Sequence, residues 1–198
     1  MHKIIFIEGV SGVGKTTTSM LLYNELRDMG CKAYCYLEGD KNNPLDPFGG
    51  TYPPAVPIAE FTETYQQKWR NFVEGQFARE SMLILDGTLF HHQINDLIRE
   101  YSATDDVIVN HLSSLLHIIQ PLNPIVFYLS SNDVGLRLRK ARESRKQTTP
   151  TAEQIFFWEN RKRVDLYAME KLSVESRVLS IDDDWSAALD MMKYTLCR

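Results

Sequence analysis

Long apolar runs are missing from this chain of 198 residues. A helix that crosses a bilayer needs about 18 or more consecutive apolar residues, and no stretch reaches that length. The first residues, Met1-His2-Lys3, lead into a strand pattern and lack the layout of a signal peptide. Both absences predict a soluble, cytoplasmic protein without a membrane partner.

Cysteine and positive charge are also scarce. The three cysteines, Cys31, Cys35 and Cys197, are odd in number and lack C-x-x-C spacing, so we expect reduced thiols and no zinc ribbon. The formal net charge of −4 argues against a nucleic-acid partner, because binding to a phosphate backbone relies on clustered positive charge. A small anionic ligand needs only a local basic site. The oligomeric state stays open, with a homodimer among the alternatives.

Short apolar runs alternate with longer stretches of helical spacing. The five runs cover residues 4–7, 33–37, 82–85, 125–129 and 178–181. Each run is nearly continuous in hydrophobicity, which is typical of parallel strands buried on both faces. The alternation predicts an α/β fold, with a parallel sheet covered by helices on both sides, in a single domain over residues 1–198.

One irregular region interrupts this pattern at residues 42–57. It contains five prolines and two adjacent glycines, which exclude a regular helix or a central strand. Loops of this length are often lids or binding elements. A proline-stiffened surface loop explains the composition equally well.

The most specific motif is Gly9-Val10-Ser11-Gly12-Val13-Gly14-Lys15-Thr16, which fits G-x-x-x-x-G-K-[ST] between a predicted strand and a predicted helix. Such a phosphate loop curls its backbone N–H groups around phosphate oxygens. Lys15 is expected to reach the β- and γ-phosphates, and the Thr16 hydroxyl is expected to ligate Mg²⁺. The predicted nucleotide-binding residues of the loop are Gly9, Ser11, Gly12, Val13, Gly14, Lys15, Thr16 and Thr17.

Acidic residues follow two of the predicted strands. The second strand ends in "YLEGD", with Glu38 and Asp40, and the third ends in "LILDGT", with Asp86. Ligands of open α/β sheets bind beyond the carboxyl ends of the strands. Asp86 is the best candidate for a Mg²⁺ ligand, and any of the three acids could accept a proton from an attacking hydroxyl. Ordinary turn chemistry also explains Glu38-Gly39-Asp40.

A basic segment over residues 132–150 follows the fourth strand. Six positive charges fall within ten residues: Arg137, Arg139, Lys140, Arg142, Arg145 and Lys146. Arginines at helical spacing can clamp a transferring phosphoryl group, so we expect Arg139 to bind nucleotide and Arg142 or Arg145 to act in catalysis. A solvated basic face is the alternative interpretation.

Several other polar and aromatic residues receive structural interpretations. His91 and His92 lack zinc spacing and are expected at the surface or behind the residues that touch substrate. Asn160, Arg161 and Arg163 could add polar contacts, and a solvent-facing helix surface explains them equally well. Tyr65 and Trp69 could stack on a substrate, but core positions are favoured because large aromatic side chains are usually buried.

The sequence resembles the P-loop nucleoside and nucleotide kinase superfamily, which includes small-molecule and antibiotic phosphotransferases. The resemblance rests on "GVSGVGKTT", on the acids of "LEGD" and "LILDG" and on the arginine-rich segment. The resemblance implies a three-layer fold with five parallel strands in the order 2-3-1-4-5, an ATP donor, Mg²⁺ and a mobile lid that carries arginines. It places Lys15 and Thr16 at the nucleotide phosphates and Mg²⁺. It places Asp86 or an acid of "LEGD" at the acceptor, and Arg142 or Arg145 in the lid.

The sequence departs from thymidylate kinases after the third strand. Those enzymes pair the strand-end acid with an arginine, whereas Gly87 follows Asp86 here. A nucleoside monophosphate and a less charged hydroxyl compound are therefore both retained as acceptors.

Two functions remain in competition. The first is a kinase that transfers the ATP γ-phosphate to a small-molecule acceptor, such as a nucleoside, a nucleotide, another hydroxylated metabolite or an antibiotic. The second is a regulatory NTPase or switch. A guanine-reading N-K-x-D or T-K-x-D motif is absent, and the D-x-x-G match at residues 46–49 does not follow a strand.

Overall fold

The structure is a computed structural model that describes residues 2–40, 43–45, 56–75, 80–182 and 184–196. The strands are β1 Ile4–Glu8, β2 Ala33–Tyr36, β3 Met82–Asp86, β4 Pro124–Ser130 and β5 Glu175–Ser180. The helices are α1 Lys15–Asp28, α2 Ile58–Glu74, α3 His91–Tyr101, α4 Asp105–Ile119, α5 Val134–Ser144, α6 Ala152–Lys171 and α7 Trp185–Leu196. A short 3₁₀ turn, Gln120–Leu122, precedes β4.

The strands form one parallel sheet in the order β2-β3-β1-β4-β5. In its centre, Ile5 of β1 pairs with Ile84 of β3 on one side and with Ile125 of β4 on the other. The predicted fold class and strand order are confirmed. Because all strands run in one direction, their carboxyl ends lie at a common edge, where the segments after β1, β2 and β3 converge.

Side chains alternate between the two faces of the sheet, and helices cover both faces. Ile4 and Phe6 pack into a core cluster with α2, α3 and α4, whereas Ile5 and Ile7 pack into a second cluster with α1, α5 and α7. All four side chains are fully buried. Burial of one such side chain stabilises a fold by roughly 1.5–3 kcal/mol. The continuous hydrophobicity of β1 therefore favours a strand with helices packed on both of its faces.

The fifth strand differs from its prediction. It begins at Glu175, three residues before the predicted run at 178–181, and Val178 is 52% exposed. The prediction of a strand buried on both faces was wrong here because β5 lies at the edge of the sheet. Charged side chains such as Glu175 and Arg177 are common on edge strands, where they discourage pairing with other chains.

Tyr65 and Trp69 lie on the inner face of α2 and are 4% and 1% exposed, which confirms the prediction that they belong to the core. Of the proline-rich loop at 42–57, only residues 43–45, 56 and 57 are described, so its predicted binding role lies largely outside the described residues. Among the helices described, none is long and apolar enough to cross a membrane.

Candidate active site

The phosphate loop runs from the end of β1 into α1 and needs glycine where its backbone turns. Gly12 has φ of 87°, and a Cβ there would lie 2.8 Å from the Arg137 carbonyl oxygen. Gly14 caps α1 with φ of 91° and, as a glycine, offers no side chain to the backbone N–H groups of the first turn. An open helix N-terminus of this kind suits an anion.

A cavity of about 500 Å³ lies against the loop, and we call it the phosphate-loop cavity. Its walls comprise Ser11, Gly12, Gly14, Lys15, Thr16, Thr17, Glu38, Lys140, Ala141, Ser144 and Arg145. Most of the predicted nucleotide-binding residues of the loop therefore border one cavity. Gly9 and Val13 lie in the buried backbone behind it.

Thr16 and Asp86 form the pair that the Mg²⁺ prediction requires. The Thr16 hydroxyl donates to Asp86 Oδ2 at 2.6 Å, and the Glu38 backbone N–H donates to the same oxygen at 3.3 Å. Asp86 Oδ1 is buried and has no hydrogen-bond partner among the described residues. Burial raises the pKa of the Asp86 carboxyl, which the Thr16 hydrogen bond and the Lys15 charge oppose. An unpartnered carboxylate oxygen beside a hydroxyl is a donor set that Mg²⁺ accepts.

Over the described ranges, no group of three or more His, Cys, Asp and Glu side chains is arranged to hold a metal by itself. This agrees with the usual behaviour of Mg²⁺, which takes one or two protein ligands and completes its coordination with substrate phosphates and water. Thr16 and Asp86 fit that mode of binding.

Lys15 lies at the centre of a buried polar cluster. Its Nζ is 3.5 Å from Glu38 Oε2 and 3.3 Å from His91 Nδ1. The Lys15 side chain is 5% exposed, whereas that of Glu38 is 30% exposed. Glu38 is therefore the acid that lies beside the phosphate-loop lysine and also reaches the open cavity.

Asp40 has a different place. Its carboxylate accepts a hydrogen bond from the Leu37 backbone N–H at 2.9 Å, and its own N–H donates to the Leu37 carbonyl. Asp40 is exposed and does not line the phosphate-loop cavity. Of the two acids in "LEGD", Asp40 stabilises the turn and Glu38 lies in the site.

Gly87 explains why no arginine follows Asp86. Its φ is 61°, and a Cβ there would lie 3.1 Å from Lys15 Cε and 3.2 Å from Glu38 Oε2. A side chain at this position would strain the backbone and push the Lys15 and Glu38 side chains slightly aside. The positive φ and the close approach of these two side chains together favour glycine.

The basic segment contributes to two cavities. Lys140, Ser144 and Arg145 border the phosphate-loop cavity, and Arg142 borders a neighbouring one while donating to the Thr148 carbonyl at 3.2 Å. Arg139 borders neither, and its guanidinium lies beside Gly135. The structure does not bring Arg139 to the phosphate-loop cavity, because successive helical residues point about 100° apart and Lys140 takes the inward position.

The neighbouring cavity has a volume of about 300 Å³, and we call it the adjoining cavity. It shares Ser11, Ala141 and Arg145 with the phosphate-loop cavity. Phe157 and Trp158 form an aromatic wall, and the Arg99 guanidinium lies 4.4 Å from the Phe157 ring centroid. Aromatic rings and guanidinium groups together suit a planar or anionic small molecule.

Of the two interpretations of Arg161, the structure supports polar contacts and excludes a solvent face. The side chain is fully buried; it donates to Asp165 at 2.8 Å and to the Phe90 and His91 carbonyls at 2.9 and 3.2 Å. Burial raises the pKa of the Asp165 carboxyl, and Arg161 acts in the opposite direction. Arg161 thus joins α6 to the start of α3, where His91 lies.

Replacing Arg161 with Met is expected to lower the free energy of unfolding by about 3–5 kcal/mol, because Asp165 would lose its buried cation. Arg163→Met is the matched control, since Arg163 pairs with Asp105 on the surface, where an ion pair contributes about 0–1 kcal/mol. Urea unfolding followed by circular dichroism measures both. Equal losses for the two variants would contradict the expectation.

Sequence reasoning left the places of His91 and Arg161 open, and the structure buries both side chains. His91 is 7% exposed and starts α3 only five residues after Asp86 at the carboxyl edge. Arg161 lies three residues from both Trp158 and Val164, which are core positions of α6. The helical spacing of these apolar neighbours was the signal that could have placed Arg161 on the buried face.

Comparisons with known proteins support the fold. No protein-family model matches the chain, and no curated protein matches it in sequence. Among solved structures, the YorR protein of Bacillus subtilis, in complex with phosphorylated GDP, superposes with a TM-score of 0.60. The match covers 97% of this chain and 95% of YorR at 13% sequence identity. At that identity the likeness shows the fold alone.

Proposed function

We propose that this protein is a phosphotransferase that binds Mg²⁺ and ATP at the phosphate loop and transfers the γ-phosphate to a small-molecule acceptor. The acceptor classes are those that the sequence suggested: nucleosides, nucleotides, other hydroxylated metabolites and antibiotics. The observation that carries the proposal is the position of Glu38, which borders the phosphate-loop cavity 3.5 Å from Lys15. A carboxylate in this position can accept the proton of an attacking hydroxyl.

The donor half of the proposal is supported by the open first turn of α1, by Lys15 and by the Thr16–Asp86 pair. The Lys15 ammonium would neutralise nucleotide phosphates, and Thr16 and Asp86 would hold Mg²⁺. When bound, the ion neutralises charge on the phosphate oxygens. YorR, which has a similar fold, was solved in complex with phosphorylated GDP. This supports the proposal of nucleotide binding, and GTP is therefore tested beside ATP.

The acceptor half is supported by the adjoining cavity. Ser11 and Arg145 border both cavities, so an acceptor in the adjoining cavity would meet the donor at these residues. Arg142 and Arg145 would stabilise negative charge on the transferred group, which is spread over its three peripheral oxygens.

The decisive experiment incubates the purified protein with Mg²⁺ and γ-labelled ATP or GTP, with and without pools of nucleosides, nucleotides, antibiotics and hydroxylated metabolites. We expect labelled product in at least one pool. Release of ADP or GDP and inorganic phosphate at the same rate in every pool, with no phosphorylated acceptor, would support the regulatory NTPase instead. Lys15→Ala protein serves as the control for contaminating kinases.

Asp86→Asn is expected to lower turnover by about 10²-fold or to raise the Mg²⁺ concentration needed for half-maximal rate. The Asn oxygen would take the place of Oδ2, which accepts from the Thr16 hydroxyl and the Glu38 N–H. The amide nitrogen, which cannot ligate a cation, would then take the place of the unpartnered Oδ1. Rates measured across a Mg²⁺ titration test this. Asp40→Asn, which alters an exposed turn carboxylate, is the control. If Asp86→Asn matches that control, Asp86 is not a Mg²⁺ ligand.

A further inference from the structure

His91 has contacts that the proposed chemistry has not yet used. The imidazole lies between Lys15 and Glu38, with Nδ1 3.3 Å from Lys15 Nζ and Nε2 3.3 Å from Glu38 Oε1. It also stacks on Trp158, with ring centroids 5.2 Å apart and an interplanar angle of 17°. Neighbouring His92 is exposed and touches His91 only edge to face. These two adjacent histidines thus have contrasting surroundings.

The polar contacts of the ring favour one neutral form. A lysine ammonium can only donate, so Nδ1 of His91 accepts from Lys15 and carries no proton. Nε2 then carries the single proton of the ring and lies 3.3 Å from Glu38 Oε1. The charged and titratable groups around the ring are Lys15, Glu38, Arg161 and His92. Burial, the two cations and His92 lower the pKa of His91 well below its usual value, and a hydrogen bond with the Gly9 backbone acts in the opposite direction. The ring is therefore neutral at pH 7 and bridges a cation to an anion.

Nucleotide binding would draw Lys15 away from Glu38 and from His91 Nδ1, but it would leave His91 Nε2 beside Glu38. Once its ammonium pairs with phosphates, Lys15 can no longer hold Glu38 as it does across 3.5 Å. Within the described part of the chain, His91 is the other side chain that contacts the Glu38 carboxylate. Stacking on Trp158 restrains the His91 ring, and the Arg161 hydrogen bond to the His91 carbonyl restrains its backbone.

We propose that His91 is a positioning residue of the phosphoryl-transfer site, whose neutral imidazole holds Glu38 in place when Lys15 engages the nucleotide. This inference rests on the proposed function and adds a residue through which Glu38 acts. The proton from the acceptor hydroxyl goes to Glu38 in this scheme, and His91 keeps its own proton throughout. His91 therefore orients Glu38, which accepts the proton, and takes no part in the proton transfer itself.

The first test needs no turnover. Long-range ¹H–¹⁵N spectra of protein labelled at histidine distinguish the two neutral tautomers, and comparison with His91→Phe identifies the His91 signals. At pH 7 we expect the Nε2–H tautomer, both alone and with Mg²⁺ and a non-hydrolysable ATP analogue. In the analogue-bound state the Nδ1 signal should shift while the Nε2–H signal persists. An Nδ1–H tautomer, a charged ring or averaging between tautomers in that state would overturn the proposal.

The second test is a double-mutant cycle between His91→Phe and Glu38→Gln. The phenyl ring can still stack on Trp158 but cannot hold Glu38, so kcat should fall by about 10- to 10²-fold, with little change in KM for ATP. In the Glu38→Gln background, His91→Phe should cause almost no further loss, because His91 acts through Glu38. His91→Gln retains an amide donor and should recover part of kcat. His92→Phe should leave kcat unchanged.

The cycle separates failure of this inference from failure of the proposed function. If His91→Phe lowers kcat by the same factor in the Glu38→Gln background as in the unsubstituted protein, His91 has only a structural role. The proposal that the protein is a kinase would then be unaffected. Absence of phosphorylated product from the unsubstituted protein with every acceptor pool would overturn both proposals. Thermal unfolding checks that each variant folds, and His91→Leu, which also lacks a donor, replaces His91→Phe in the cycle if the latter does not fold.

Discussion

Lys15→Ala is expected to lower phosphoryl transfer by about 10³-fold. Lys15 borders the phosphate-loop cavity, where its charge would act on the transferring group. Its side chain is 5% exposed, and a charge acts more strongly in such surroundings than in water. Alanine removes that charge and favours the helix that Lys15 begins.

The control for this substitution is Lys32→Ala. Lys32 pairs with Glu80 at 3.4 Å on the surface, where each side chain is 58% exposed, so the pair resembles Lys15–Glu38 in distance but not in surroundings. Initial rates with labelled ATP measure turnover, and circular dichroism checks the fold. Equal rates for Lys15→Ala and Lys32→Ala would remove the phosphate loop from the mechanism.

Glu38→Gln is expected to lower kcat by about 10²- to 10⁴-fold, the usual contribution of a general base. The amide has nearly the shape of the carboxylate but cannot accept the proton of an acceptor hydroxyl. Nucleotide affinity should not fall, because Glu38 holds no phosphate and its carboxylate competes with the nucleotide for Lys15. Rapid-quench measurement of the transfer step, together with equilibrium binding of an ATP analogue, separates the two quantities.

Glu80→Gln completes the comparison on the surface pair. We expect its turnover to equal that of the unsubstituted protein, since Glu80 contacts only exposed Lys32 in the described structure. If Glu38→Gln behaves like Glu80→Gln, then Asp86 becomes the candidate base. The Asp86→Asn rates under saturating Mg²⁺ would then decide that assignment.

Much of the fold could be predicted because the necessary signals are local. The apolar run at 4–7 and the glycine motif that follows it define a strand, a turn and a helix within one short stretch. The fifth strand could not be predicted as well, since an edge strand tolerates polar residues and carries a weaker apolar signal.

The candidate site could be predicted in outline but not in its contacts. Parallel strands bring their carboxyl ends to one edge, so Glu38 and Asp86 were expected near Lys15 without any knowledge of side-chain direction. Which acid contacts the lysine depends on the turn after β2, where Asp40 bonds to the backbone and Glu38 does not. The spacing of "LEGD" is compatible with either acid in that role.

The amino-acid sequence by itself determined the phosphate loop, the class of the fold and the acids at two strand ends, because each depends on residues close together in the chain. Tertiary structure decided the rest. His91 reaches Lys15 across 76 positions of sequence, and Arg161 reaches the His91 carbonyl across 70. Contacts over such separations form only when helices pack on the sheet. This packing buries a histidine and an arginine whose burial the sequence alone did not indicate.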